Sequence, residues 1–219
     1  MLFKRKNEGE AATATFKPST PSGPRVSRNS SGWKAMLEFL KEAESPVVMD
    51  IGPASPTNVN FLTSLGCSIY LPDPLHDLAM TDAGKAATTA APEEQEAAIQ
   101  QFLEESFNFS GRMFDCVLLW DTLDFLPEPL VQPIVDKLHA VMKPGGKVMS
   151  IYRSKMEPET SPHRRFHVTD SASIESQAGA GYPQLRVLQN RSVEKIFSAF
   201  HSPRLLLAAD NFREAIFTR

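Results

Sequence analysis

Two short runs of apolar residues constrain the fold of this chain most strongly. They are "VVMDIG" at residues 47–52 and "FDCVLLWD" at residues 114–121. Continuous apolar runs of this length are typical of strands covered on both faces, because a half-exposed strand alternates polar and apolar residues. Both segments are therefore predicted to be central strands of a sheet with helices on either side.

Segments with a helical period lie between the predicted strands. Trp33, Met36, Leu37 and Leu40 share one helical face. The alternation of strand and helix predicts a doubly wound, Rossmann-like α/β sheet of about seven strands, with helices on both faces. The last two strands flank a turn at residues 210–211, so the final strand is predicted to be antiparallel.

Several local features are also predicted. Ser55 is expected to cap a helix whose first residue is Pro56. Residues 74–112 favour helix and loop, with a short strand near Phe102 or Phe107. Pro133 is placed in the first turn of a helix, because an interior proline would remove a backbone hydrogen bond.

Composition predicts one domain with a polar tail. Residues 1–30 are rich in Ser, Thr, Pro and basic side chains, and are predicted to be a disordered basic tail. Residues 31–219 are predicted to form the domain, since a 219-residue chain that is 42% hydrophobic can bury one substantial core.

Charge and apolar content limit the partners. A net charge of −3 gives no indication of nucleic-acid binding. No apolar run approaches the roughly 18 residues that a membrane span needs, and no signal peptide is evident. Cys67 and Cys116 lie in apolar runs, which indicates reduced core thiols in a cytoplasmic protein. Because no spanning run is present, no membrane association is expected.

Three carboxylates follow predicted strands. Asp50, Asp73 and Asp121 each lie where a strand ends, and Gly52 follows the first of them. In open α/β sheets, ligands bind at the carboxyl ends of the strands. The pattern therefore predicts a small-molecule cleft at this edge of the sheet.

These segments resemble the class I S-adenosylmethionine-dependent methyltransferases. The resemblance lies in "VVMDIGPAS", "GCSIYLPD", "FDCVLLWDTLDFLP", "LHAVMKPGGKVMSIYR" and "REAIFTR", and covers residues from about 31 to 219. It implies S-adenosylmethionine as cofactor and methyl transfer to a small-molecule acceptor. The cofactor-binding residues that it implies are Asp50, Gly52, Pro53, Ala54, Asp73, Trp120, Asp121 and Thr122.

The resemblance also assigns roles to some of these residues. Asp50 would organise the first loop, and Gly52 would let the backbone approach the methionine part of the cofactor. Asp73 would accept hydrogen bonds from both ribose hydroxyls. The side chains at positions 120–122 would line the cleft near the cofactor or the methyl group. Glu104 and Glu105 are the candidates for the adenine-contacting acid.

The first motif departs from the family pattern. Where the family has acid-x-Gly-x-Gly-x-Gly, this chain has Asp50, Gly52, Ala54 and Pro56. Ala54 is tolerable at a negative φ, and Pro56 suits the first position of a helix. An alternative hypothesis remains, in which the chain is a catalytically inactive protein of this fold that serves as a binding or interaction module.

Other enzyme classes match less well. A nicotinamide dehydrogenase could use Asp73, but Tyr152 and Lys155 are three residues apart rather than four. A Gly-x-Ser-x-Gly hydrolase motif is absent from the sequence. His163 and His167 have metal-ligand spacing for a helix, but the surrounding sequence favours loop or extended chain. No metal site is predicted.

The acceptor region is predicted at residues 153–189 together with the N-terminal helix. This region is basic, which favours either an ordinary solvated charged loop or a surface facing an anionic acceptor. Its basic side chains are Arg153, His163, Arg164, Arg165 and His167. No general base is identified from the pattern.

Overall fold

The computed structural model describes residues 22–157, 162–179, 181–206 and 210–219, which form seven α-helices and nine strands. The helices are α1 (Ser31–Glu42), α2 (Pro56–Ser64), α3 (Pro74–Met80), α4 (Asp82–Thr89), α5 (Pro92–Ser106), α6 (Glu128–Val141) and α7 (Asn190–Ile196). The strands are β1 (Ser22–Asn29), β2 (Val47–Ile51), β3 (Ser68–Tyr70), β4 (Phe114–Leu119), β5 (Met142–Arg153), β6 (Arg164–Val168), β7 (Ser173–Ala178), β8 (His201–Leu206) and β9 (Phe212–Thr218).

The larger sheet has the strand order β3-β2-β4-β5-β9-β8. Its first four strands are parallel, and β9 is antiparallel to both β5 and β8. The predicted α/β class and the antiparallel final strand are therefore confirmed. The described part of this sheet has six strands rather than about seven.

Residues 74–112 explain the lower strand count. They form α3, α4 and α5, and the strand predicted near Phe102 or Phe107 is wrong. Ala, Glu and Gln favour helix here. Phe102 lies inside α5, and Ile99, Phe102 and Leu103 are its buried residues, so one helical face supplies the burial that a strand was expected to supply.

Both faces of the larger sheet are covered, as the apolar runs predicted. Along β4, Val117 and Leu119 join a core cluster with residues of α5 and α6. Cys116 and Leu118 join a second cluster with residues of α1 and α2. The side chains of one strand alternate between the two faces, so both faces need apolar residues.

The strands β1, β7 and β6 form a second, antiparallel sheet in that order. Residues 22–29, predicted to belong to the disordered tail, are instead the strand β1. The sequence of this strand is polar and shows no apolar pattern, so the strand is defined only by its pairing with β7. Even its one large apolar residue, Val26, is 56% exposed. Residues 1–21 lie outside the described part of the chain.

Two further local features can be compared with the predictions. Ser55 caps α2 and Pro56 is its first residue, as expected. Pro133, however, lies inside α6 in its second turn, so its predicted place in the first turn is wrong. The buried residues Leu130, Ile134 and Leu138 hold this helix against the sheet, which outweighs the missing backbone donor.

Burial of the cysteines agrees with the prediction of core thiols. Cys67 and Cys116 are free and buried. Among the described helices, none has both the length and the apolar character that a bilayer crossing requires.

Candidate functional site

The loop after β2 is built around Gly52, which has a φ of +133°. Its N–H donates to the carbonyl of Pro72 just before α3, at 2.8 Å. The side chain of Ser55 accepts from the N–H of Asn58 at 3.2 Å and so caps α2. Ala54 is not among the described residues with positive φ, so its methyl group is compatible with this loop, as predicted.

The Asp50 carboxylate holds the two ends of this region together through hydrogen bonds to Trp120 and Asn58. Its Oδ1 accepts from Trp120 Nε1 at 2.6 Å, and its Oδ2 accepts from Asn58 Nδ2 at 2.8 Å. Burial raises the pKa of Asp50, and the two hydrogen bonds oppose that rise. The carboxylate therefore links β2, the end of β4 and α2, which is consistent with its predicted role as organiser of the loop.

Asn58 fastens β6 across the same loop. Besides its bond to Asp50, its amide nitrogen donates to the carbonyl of Phe166 at 3.2 Å, and its Oδ1 accepts from the N–H of Val168 at 2.8 Å. His167 Nδ1 and Ser55 Oγ are also 2.8 Å apart. The sequence carries no signal for this role of Asn58, since an asparagine in the first turn of a helix usually serves only local capping.

The end of β4 is enclosed. Trp120, Asp121 and Thr122 are 2%, 0% and 0% exposed. The ring of Trp120 stacks on that of Phe166 in β6, with centroids 4.9 Å apart and planes at 11°. The three residues predicted to line the cleft are therefore buried, and Phe166 of β6 covers the ring of Trp120.

Arg153 and His163 face Asp121. The Arg153 guanidinium donates to Asp121 Oδ2 at 2.9 Å and 3.1 Å, and it also donates to Glu157 at 3.0 Å. His163 Nε2 lies 3.3 Å from Asp121 Oδ1, without the angle of a hydrogen bond. Arg153 and His163 are both 0% exposed, so the prediction of a solvated basic loop is wrong at these positions.

Several buried polar atoms converge near Gly52 without hydrogen-bond partners among the described residues. They are Asp121 Oδ1, Thr122 Oγ1 and both ring nitrogens of His163. A Cβ placed on Gly52 would lie 3.7 Å from His163 Cε1 and 3.8 Å from Thr122 Oγ1 and Trp120 Cδ1. We call Gly52, Trp120, Asp121, Thr122 and His163 the strand-end cluster. Buried polar atoms normally have partners, so this cluster is suited to a polar ligand.

Asp73 lies at the same edge, partly exposed, as the N-cap of α3. Its Oδ1 accepts from the N–H of His76 at 3.1 Å, so a capping role was missed. Its charge reaches the cluster, where it opposes the lowering of the His163 pKa by burial. It also acts on Tyr182: burial raises the pKa of Tyr182 to about 12, and Asp73 and Asp77 add to that rise.

Comparison with solved structures identifies the fold. A S-adenosylmethionine-dependent methyltransferase from Clostridium acetobutylicum is similar over 85% of this chain and 89% of its own, with a TM-score of 0.50 and 8% identity. The chain has a methyltransferase fold.

Two further solved structures have TM-scores below 0.50. A TehB-like S-adenosylmethionine-dependent methyltransferase from Corynebacterium glutamicum has a TM-score of 0.48 and 13% identity, over 85% of this chain and 87% of its own. A 1,6-didemethyltoxoflavin-N1-methyltransferase from Burkholderia thailandensis has a TM-score of 0.46 and 12% identity, over 87% of this chain and 79% of its own. No protein-family model and no curated protein sequence matches the chain.

The remaining candidates lie apart from the strand-end cluster or have other partners. Glu104 and Glu105 are exposed on α5, where Glu105 accepts from Gln101. His163 comes just before the extended strand β6, and His167 lies within it. Among the described residues, no group of three or more His, Cys, Asp or Glu is arranged to hold a metal.

The strand-end cluster gives the stability of the protein a predicted pH dependence. Burial lowers the pKa of His163 from 6.5, although Asp121 and Asp73 oppose this. When the pH falls through 6.5, the unfolded chain takes up a proton before the folded protein does, so acid favours unfolding. The contribution is fully present above 6.5 and is lost as the pH falls toward the lowered pKa, with a slope of at most about 1.4 kcal/mol per pH unit.

Urea denaturation between pH 8 and pH 5 measures this slope. As the pH is lowered, the free energy of unfolding of the wild type should fall relative to that of His163→Gln. The free energy of unfolding of His76→Gln, at an exposed position of α3, should follow that of the wild type. A difference that does not change with pH would show that His163 does not titrate with folding.

Proposed function

We propose that this protein transfers a methyl group from S-adenosylmethionine to a small-molecule acceptor. The observation that carries the proposal is the strand-end cluster, in which four buried polar atoms have no hydrogen-bond partner among the described residues and lie around a glycine of positive φ. The site lies at the carboxyl ends of parallel strands, where ligands bind in folds of this class.

The polar atoms suit the functional groups of this cofactor. Asp121 Oδ1 and Thr122 Oγ1 can accept from an ammonium group, and Gly52 lies beside Thr122 Oγ1. The next residues of the loop, Pro53 and Ala54, would contact the cofactor as well. Asp73 Oδ1 caps α3 and its Oδ2 remains for ribose hydroxyls. The bound cofactor would supply an electrophilic methyl group on a sulfonium centre.

The chain itself would contribute enclosure and proton transfer. The stacked rings of Trp120 and Phe166 exclude water from the end of β4. His163 is neutral near pH 7, because burial lowers its pKa, and can accept a proton from the acceptor at a ring nitrogen. The cover provided by β6 supports a small-molecule acceptor, since a polymer could not reach the end of β4 beneath it.

A second candidate is a binding module without catalysis. It is favoured by the hydrogen bonds from Asn58 to β6, which hold the strand over the loop, and by the complete burial of Asp121, Thr122 and His163. In that case the cluster would be closed to the cofactor.

Thermal denaturation with S-adenosylhomocysteine separates the two. At about 100 times the dissociation constant, a ligand that binds only the folded state adds about 2.7 kcal/mol to the free energy of unfolding. The methyl-transfer proposal predicts a rise in melting temperature with this ligand and not with NAD. An unchanged melting temperature with millimolar ligand would favour the binding module.

Asp73→Asn tests the ribose contact without removing the helix cap. Asparagine caps helices about as well as aspartate, so folding should change little, whereas alanine would cost about 0.5–2 kcal/mol. Binding of S-adenosylhomocysteine should weaken by up to about 1.5–3 kcal/mol, measured by calorimetric titration. Asp82→Asn, at an exposed position of α4, is the matched control. Equal affinities of the two variants would remove Asp73 from the site.

A further inference from the structure

A cavity of about 570 Å³ lies between the smaller sheet and the start of β9. It is separate from the strand-end cluster, and none of the residues assigned above to the cofactor lines it. Two guanidinium groups and three carboxylates line it together with neutral polar and apolar side chains. The charged residues are Arg28, Arg164, Glu157, Asp210 and Glu214.

The guanidinium group of Arg28 is already paired with two carboxylates. It donates to Asp210 at 2.6 Å and 3.3 Å and to Glu214 at 2.6 Å. Glu214 also accepts from the N–H of Gly32 at 2.7 Å, at the start of α1. Glu157 accepts from Arg153 at 3.0 Å. Each carboxylate of the cavity therefore has an arginine partner.

Arg164 differs from Arg28. Among the described residues, no carboxylate oxygen lies within 4.0 Å of its guanidinium group, and its one hydrogen bond, to Ser176 Oγ, is long at 3.4 Å. Its Nε is buried and has no hydrogen-bond partner within the described part of the chain. Its Cζ lies 5.8 Å from the ring centroid of Phe212, so the aromatic ring holds the cation in place at the cavity. A buried donor without a partner costs free energy, and a ligand could recover it.

We infer that this cavity binds a small molecule through a carboxylate that pairs with Arg164. The guanidinium group presents parallel N–H donors whose geometry matches the two oxygens of a carboxylate. The three carboxylates of the lining would repel a phosphate dianion more strongly than a monoanion. The inference does not depend on the proposed methyl transfer.

The rest of the ligand would contact apolar surface. Val26 is 56% exposed and lines the cavity with Phe212. An aromatic carboxylate combines a ring for these side chains with the anion for Arg164. Benzoate is therefore the probe, and benzamide, benzamidine and inorganic phosphate are its neutral, cationic and dianionic comparisons.

Titration of ¹⁵N-labelled protein with each probe, followed by NMR, tests the inference. Benzoate should shift the Nε–Hε signal of Arg164 and the backbone signals of β1 and β6, in a saturable way. Benzamide and phosphate should bind at least about tenfold more weakly, because benzamide lacks the charge and phosphate lacks the planar geometry of a carboxylate. Stronger binding of benzamidine or phosphate, or no saturable shift with benzoate, would overturn the inference.

Arg164→Gln and Arg164→Lys locate the binding group. Glutamine should raise the dissociation constant of benzoate by about 10- to 100-fold, the effect of a lost charge-assisted hydrogen bond. Lysine keeps the charge without the paired donors and should fall between glutamine and the wild type. Arg25→Gln is the control, because Arg25 lies on β1, pairs with Glu175 and does not line the cavity.

The backbone spectrum shows whether each variant is folded. If a folded Arg164→Gln protein bound benzoate as the wild type does, the inference would be wrong. If Arg164→Gln failed to fold, the Arg164→Lys variant would decide in its place, with unchanged affinity as the contrary result.

Discussion

Replacing Arg153 by methionine is expected to lower the free energy of unfolding by about 3–5 kcal/mol. Arg153 is 0% exposed and donates to Asp121 at 2.9 Å and to the carbonyl of Pro162 at 2.7 Å. Methionine fills much of the volume but leaves the Asp121 carboxylate in the interior with no cation beside it. Urea denaturation at pH 7 gives the change directly.

Two further variants control for this effect. Arg204→Met removes an exposed arginine from β8 and should change the free energy of unfolding by about 0.5 kcal/mol or less. The double variant Arg153→Met with Asp121→Leu removes both charges and should recover part of the loss. If the double variant were as unstable as the sum of its single changes, packing and not the buried charge would explain the loss.

Replacing Asn58 by alanine should cost roughly 1–3 kcal/mol for each of the two main groups left without a partner. These are Asp50 Oδ2 and the N–H of Val168, which lie 2.8 Å from the amide of Asn58. Both are buried, so water cannot replace the lost bonds without opening the structure. The loss of stability should appear in urea denaturation.

Asn60→Ala provides the matched control, since Asn60 is exposed on the same helix. It should leave the free energy of unfolding within about 0.5 kcal/mol of the wild type. Similar losses in the two variants would mean that helix propensity, and not the link to β6, accounts for the effect of Asn58→Ala.

The central strands and helix caps could be predicted because their signals are local. The apolar runs around Val48 and Val117 identify β2 and β4, and Ser55 followed by Pro56 fixes the start of α2. Each of these signals comes from a few neighbouring residues. Tertiary packing then agrees with them.

The smaller sheet could not be predicted for the opposite reason. The strands β1, β6 and β7 are largely polar, and β1 pairs with a strand about 150 residues later in the chain. Nothing local marks such partners. The burial of His163 and the bonds of Asn58 to β6 depend on that sheet, so the enclosure of the strand-end cluster was missed as well.

For the proposed cofactor site, the bonds that hold β6 to α2 would also affect the kinetics of ligand entry. Thr122 and His163 are fully buried, so a ligand of the proposed site could reach them only after local opening of the structure. The observed association rate should then rise with ligand concentration only until it equals the opening rate, and level off beyond that point. The Asn58 amide, which bonds to β6, would limit the opening rate and so determine the value at which the association rate levels off.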